Sequence, residues 1–180
     1  MKQQEVILVN ENDEPIGLME KMEAHQKGLL HRAFSVFIFD SKGKILLQQR
    51  SAEKYHGANL WTNACCSHPL PNEKVEDAAQ RRLKEELGFI TRLHEIFSFI
   101  YHASVENGLV EYEFDHVFAG EYEGHIFPNS DEVANYNYKG MDDVKQEIEL
   151  NPERFTSWFK IAFPRIEEWW WEKYGPENEM

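Results

Sequence analysis

One stretch constrains the fold more than any other: "KVEDAAQRRLKEELG", residues 74–88. Val75, Ala78, Ala79, Leu83 and Leu87 recur at helical spacing, so the segment is predicted as a helix with one apolar stripe, closed by Gly88 at its C-terminal cap. Such a helix must lay its stripe on something, and the rest of the chain offers sheet. "RAFSVFIFD" (32–40) and "KILLQQR" (44–50) are β-rich runs joined by "SKGK" as a hairpin. "IFSFIYHASV" and "LVEYEFDHVFAGEY", joined by Asn107-Gly108, read as a second hairpin. A short strand is expected over 5–10, with "DEPIG" after it as a turn and a helix over 19–27 ending at Gly28. "DDVKQEIEL" reads as a short acidic helix, and a last helix is expected from about 157 to 174 with a kink at Pro164. Strands and helices mixed in this way predict an α+β or three-layer fold. No repeat or linker divides the chain, so residues 1–180 are expected to form one domain.

Charge narrows the function. The 180 residues carry 32 acidic and 19 basic side chains, a formal net charge of −13. That field repels nucleic-acid backbones, and no basic cluster runs along any segment. An anionic small molecule would need local cations or a bridging metal to bind here. "MKQQEVILVNENDEP" has no signal-peptide character, and no stretch approaches the roughly 20 apolar residues of a membrane span. Two cysteines in such a chain point to a reducing cytoplasm, and the protein is expected to act there as a monomer.

Both cysteines stand side by side in "NACCSHP", residues 63–69. Neighbouring cysteines make a poor disulfide. If the stretch is extended, Cys66 and His68 share one face while Cys65 points to the other as a small buried hydrophobe. Cys66 is then either a reactive thiol or a structural residue. By the same alternation Glu111 and Glu113 share one face of a strand. They are either its solvated side or, with His25, His31 and His68, a nitrogen-and-oxygen site for a divalent metal. Arg82 and Glu86, four apart on a helix, are either a surface ion pair or part of a phosphate-and-metal motif.

The segment resembles the Nudix signature: Glu73, Arg81, Leu83, Glu85, Glu86, Gly88 and Phe89 stand at its fixed positions. Ser67 replaces the leading glycine, and Arg82 replaces one of the metal-binding acids of Nudix hydrolases. More of the chain resembles the type 1 isopentenyl-diphosphate isomerases, a non-hydrolytic branch of that superfamily. "LLHRAFSVFIFD", "WTNACCSHP", "RRLKEELG", "EYEF" and "TSWF" match its blocks in order.

This resemblance implies a three-layer α/β/α sandwich around a mixed β-sheet, and conversion of isopentenyl diphosphate to dimethylallyl diphosphate through a tertiary carbocation. It implies Cys66 and Glu113 as the acid–base pair, with Tyr101 relaying a proton near Glu113. It makes His25, His31, His68, Glu111 and Glu113 ligands of a divalent metal (Mn, Zn or Mg), and gives Glu86 a second Mg²⁺ that bridges the substrate diphosphate. Lys21, Arg50, Lys54 and Arg82 become diphosphate-binding cations. Trp158 faces the hydrocarbon end, and Ser67 takes the glycine's place beside the substrate. The N-terminal segment and the aromatic C-terminal helix are expected to close the site, with Trp169, Trp170 and Trp171 packed as part of that helix. Two rivals are a Nudix hydrolase of a diphosphate-containing substrate, which would need the missing acid at position 82, and a zinc-binding interaction module, which would leave Cys66 and the cations idle.

Overall fold

The structure is a computed structural model that describes residues 4–176. In chain order its elements are β1 (Glu5–Val9), β2 (Pro15–Glu20), α1 (Lys21–Lys27), β3 (His31–Phe39), β4 (Ile45–Arg50), β5 (Trp61–Thr62), β6 (Cys65–Ser67), α2 (Val75–Leu87), β7 (His94–Ser104), β8 (Val110–Glu121), β9 (Val133–Lys139), α3 (Met141–Leu150) and α4 (Ser157–Tyr174).

β3 organises the sheet. It pairs in parallel with β8 along its whole length, from His31 opposite Glu113 to Phe39 opposite Glu121, and antiparallel with β1, β4 and β6. β7 runs antiparallel to β8, and β9 antiparallel to β4, so the sheet is mixed. Every residue of β3 except Arg32 is buried, as a strand covered on both faces requires. Its alternation feeds two cores. Phe34, Val36 and Ile38 pack with Ala78, Ala79, Leu83 and Leu87 of α2. Phe37 and Phe39 pack on the other side with Val144 of α3 and with Phe159, Ala162, Phe163 and Ile166 of α4. The result is helix, sheet, helix: a three-layer sandwich of α+β type. Gly88 ends α2 at φ 76°, a left-handed cap that a side chain would strain.

Two local expectations need correction, and one strand is new. The turn after β1 lies over residues 10–14, where Asn10 Oδ1 accepts from the backbone N–H groups of Asn12 and Glu14. "PIG" is therefore not turn but the start of β2, which sits at the sheet edge, where proline's missing donor costs nothing. Met19 and Glu20 finish that strand opposite Val6 and Glu5, so the helix starts at Lys21, with the Glu20 carboxylate accepting from Glu23 N–H. β9 was not anticipated at all. α4 runs through Pro164 as one helix.

Candidate active site

Four elements bring five dispersed residues together. His25 sits in the last turn of α1, His31 opens β3, His68 follows β6, and Glu111 and Glu113 share one face of β8. The parallel register puts His31 directly opposite Glu113. All five are buried, and each offers one ligand atom such that these atoms lie within 4.8 Å of one another. The outer nitrogens fix the tautomers: His25 Nδ1 is 2.6 Å from the Lys21 carbonyl and His31 Nδ1 is 2.8 Å from the Leu29 carbonyl. A proton donated there leaves each Nε2 as a lone pair facing inward. Those Nε2 atoms lie 3.3 Å from Glu111 Oε1 and Glu113 Oε1 respectively, yet neither has an aligned hydrogen-bond partner. Buried imidazole nitrogens in this arrangement, held from behind by backbone carbonyls and facing carboxylates, match the donor set of a divalent metal. Burial, and then the neighbouring His31, push the His68 pKa well down and keep its ring neutral.

Beside this cluster lie two side chains that carry an exchangeable proton, the Tyr101 hydroxyl and the Cys66 thiol. Tyr101, opposite Glu113 across β7–β8, donates its hydroxyl to Glu113 Oε2 at 2.7 Å. Burial works against a charged Glu113, but the side chains of Glu111, His31 and Tyr101 outweigh it, and its pKa falls well below the usual carboxylate range. Cys66 donates its thiol to Asn63 Oδ1 at 3.1 Å and lies 3.4 Å from Ser35 Oγ, which in turn donates to Asp115 Oδ2 at 2.7 Å. Burial, and then the Asp115 charge, push its pKa up, so it stands as a thiol. Cys65 turns the other way into the α2 core, as the alternation of an extended stretch requires. Both cysteines are free.

Cys66, Ser67, Tyr101, Glu113 and Trp158 line one cavity, and Lys21, Arg50, Lys54 and Arg82 line it too. Four cations in one pocket supply the local positive charge that the acidic chain otherwise lacks. Their crowding has a cost. Burial, and then Lys54, pull the Lys21 pKa down to about 8. Glu132 partly offsets it, pairing with Lys54 and lying 3.4 Å from Arg82 Nη2. Arg50 stacks over the Trp158 ring at 5.1 Å.

Glu86 lies apart from this lining. It is buried and accepts from Arg82 Nη2 at 2.7 Å and from Gln48 Nε2 at 3.0 Å. The Arg82–Glu86 pair is thus not a surface ion pair. Of the N-terminal segment, residues 1–3 lie outside the described residues, and Gln4 lines the cavity. Trp169 and Trp170 pack against the second core, while Trp171 is exposed.

Sequence reasoning missed His56, Asn63, Ser35, Asp115 and Glu132. Asp115 carried a legible signal, since it continues the one-face series of Glu111 and Glu113 along β8. His56 carried none, because its loop has no periodicity.

The model of the NUDIX domain matches residues 29–159. Solved structures agree on the fold: a Deinococcus radiodurans protein aligns at TM-score 0.69 with 18% identity over 82% of this chain and 90% of its own. The MutT protein of Methanosarcina mazei aligns at 0.63 with 17% identity, over 77% and 94%. The chain belongs to the Nudix family. Within that family it is similar over nearly its whole length to proteins named isopentenyl-diphosphate Delta-isomerase. The Pectobacterium atrosepticum protein of that name is 49% identical over 92% of this chain and 93% of its own. Isopentenyl-diphosphate Delta-isomerase 2 of Photorhabdus laumondii is 48% identical over 91% and 96%. Among the described residues, no helix is long and apolar enough to cross a membrane.

Proposed function

We propose that this chain isomerises isopentenyl diphosphate to dimethylallyl diphosphate. The observation that carries the reading is the convergence of Cys66 and the Tyr101–Glu113 pair on one cavity with Lys21, Arg50, Lys54 and Arg82. Cations alone would suit any diphosphate. Two separate proton-handling groups beside them suit a double-bond shift, which needs one proton added and another removed.

In this reading the four cations hold the diphosphate and direct the five-carbon unit toward Cys66, Glu113 and Trp158. One of the two groups, Cys66 or Glu113, gives a proton to the terminal alkene carbon, and the π electrons form the new C–H bond. The positive charge left on the tertiary carbon is discharged when the other group removes a proton from C2 and that C–H pair becomes the new double bond. Tyr101, already donating to Glu113, carries a proton to or from that carboxylate. No atom is gained or lost overall. The indole of Trp158 faces the developing charge, and water must be kept from the cation while it exists. Ser67 lies against the substrate beside Cys66.

His25, His31, His68, Glu111 and Glu113 would hold a divalent ion of the Mn, Zn or Mg type. Bound there, it would supply positive charge that fixes the position and ionisation of Glu113. Glu86, held just off the cavity lining by Arg82 and Gln48, would help hold a Mg²⁺ that arrives with the substrate diphosphate by giving up its bond to Arg82. The free thiols suit a reducing cytoplasm, and one copy of the chain contributes all of these groups.

The rival reading, a Nudix hydrolase, shares the fold. Position 82, however, holds an arginine whose guanidinium donates to Glu85 and Glu86, where hydrolysis would call for a metal-binding acid. Incubation with isopentenyl diphosphate and Mg²⁺ separates the two: dimethylallyl diphosphate without released phosphate is expected. Phosphate release without isomerisation would overturn the proposal.

A further inference from the structure

We infer that His56 is a positioning residue of the metal site, holding the Glu111 carboxylate from outside the ligand set; this rests on the reading of His25, His31, His68, Glu111 and Glu113 as metal ligands. His56 lies on the loop between β4 and β5 and is 5% exposed. Its ring is wedged edge-on against Tyr55 at 4.3 Å and Trp158 at 5.6 Å, and 6.0 Å from the His25 ring. The loop is tied on both sides: Arg50 Nη2 donates to the His56 carbonyl at 3.1 Å, and Gly57 N–H donates to Glu106 Oε2 at 2.8 Å.

Both ring nitrogens are buried without an aligned hydrogen-bond partner. Burying a polar ring in that state is costly, and native structures rarely tolerate it. The available partner is plain from distance, since Nε2 is 2.7 Å from Glu111 Oε1 and only the angle is unsatisfied. A ligating carboxylate is ordinarily fixed by such a contact from outside the ligand set. Its loss typically weakens metal binding ~10- to 100-fold. His56 also touches Trp158, and its carbonyl is held by Arg50, so it joins the loop that carries the Lys54 cation to the metal site, beside Tyr55, whose ring is 6.2 Å from His25.

Two substitutions separate positioning from packing. His56→Phe keeps a ring against Tyr55 and Trp158 but has no nitrogen, whereas His56→Gln keeps a donor and gives up the ring. Zn²⁺, and separately Mn²⁺, are titrated into the metal-stripped full chain against a competing chelator, with thermal unfolding of the stripped protein alongside. The expected result is ~10- to 100-fold weaker binding for His56→Phe at little change in stripped-protein melting temperature, with His56→Gln retaining most of the affinity. Unchanged affinity in His56→Phe overturns the assignment. So does an equal loss in both variants accompanied by a lower melting temperature, which would make the ring packing only. If His56→Phe does not fold, His56→Leu replaces it under the same criteria. A wild-type chain that takes up neither ion overturns the metal-site reading and this assignment with it.

Discussion

At the scale of single residues, two neighbours with the same side chain have opposite surroundings. Cys66 faces Asn63, Ser35 and the cavity, while Cys65 is enclosed with Leu83 and Leu87. Cys66→Ala should therefore lower isomerase turnover by ~10²- to 10⁴-fold, the usual share of an acid–base group, with Cys65→Ala keeping most activity. Steady-state rates on both variants decide it, and equal mild losses would contradict the assignment. Trp158 invites a similar test. Its face already attracts the Arg50 guanidinium, so it can also attract a carbocation, for up to ~2 kcal/mol when both are dry. That is at least about tenfold in rate if it acts in the transition state. Turnover should fall in the order Trp, Phe, Leu at nearly constant KM. Equal turnover in Trp158→Phe and Trp158→Leu with a lowered melting temperature would reduce the residue to packing.

At the scale of elements, what was legible depended on periodicity. α2, with its apolar stripe and Gly88 cap, and the two hairpins were plain because local pattern and tertiary environment agree there. β2 and β9 were hidden for physical reasons. β2 is a largely exposed edge strand containing Pro15 and Gly17, residues that elsewhere mark turns. β9, "VANYNYK", is mostly exposed and polar, and is held as a strand by pairing with β4. The start of α2 depends on a different device. Arg81 donates to both oxygens of Glu73, at 2.8 and 2.9 Å, pinning the preceding loop to the helix, and this partner chiefly holds the Glu73 pKa low. A carboxylate with a lowered folded pKa stabilises the fold above its unfolded pKa, and that contribution is lost as pH falls through the folded value. Glu73 and Arg81 are both partly exposed, so solvent screens the pair and Glu73→Gln should cost no more than ~1 kcal/mol at neutral pH. Melting curves of the two proteins should converge as the solution is acidified below the ordinary glutamate range. A constant difference down to low pH would show that the ion pair contributes nothing.

At the scale of the whole molecule, the chemistry is assembled by long-range pairing. The candidate ligands were each visible in the sequence as ordinary histidines and glutamates. Their convergence was not, because it is set by the parallel register of β3 against β8, which places residue 31 opposite residue 113. No local pattern encodes that contact. The family resemblance supplied the grouping that periodicity could not. The cations show the same division: a net charge of −13 demanded a local positive pocket, but only the folded sheet brings Lys21, Arg50, Lys54 and Arg82 to one cavity. His56 marks the limit, because nothing in its surrounding sequence singles it out.

The central claim is that a double bond moves by proton addition at one carbon and proton loss at another, through groups that exchange with solvent. Turnover of isopentenyl diphosphate in D₂O, followed by proton and deuterium NMR, tests it most directly. Protonation by Cys66 or Glu113 predicts dimethylallyl diphosphate that carries solvent deuterium in a methyl group, with no phosphate released. Product formed without deuterium would mean an internal hydrogen shift that uses neither residue, and would contradict the account.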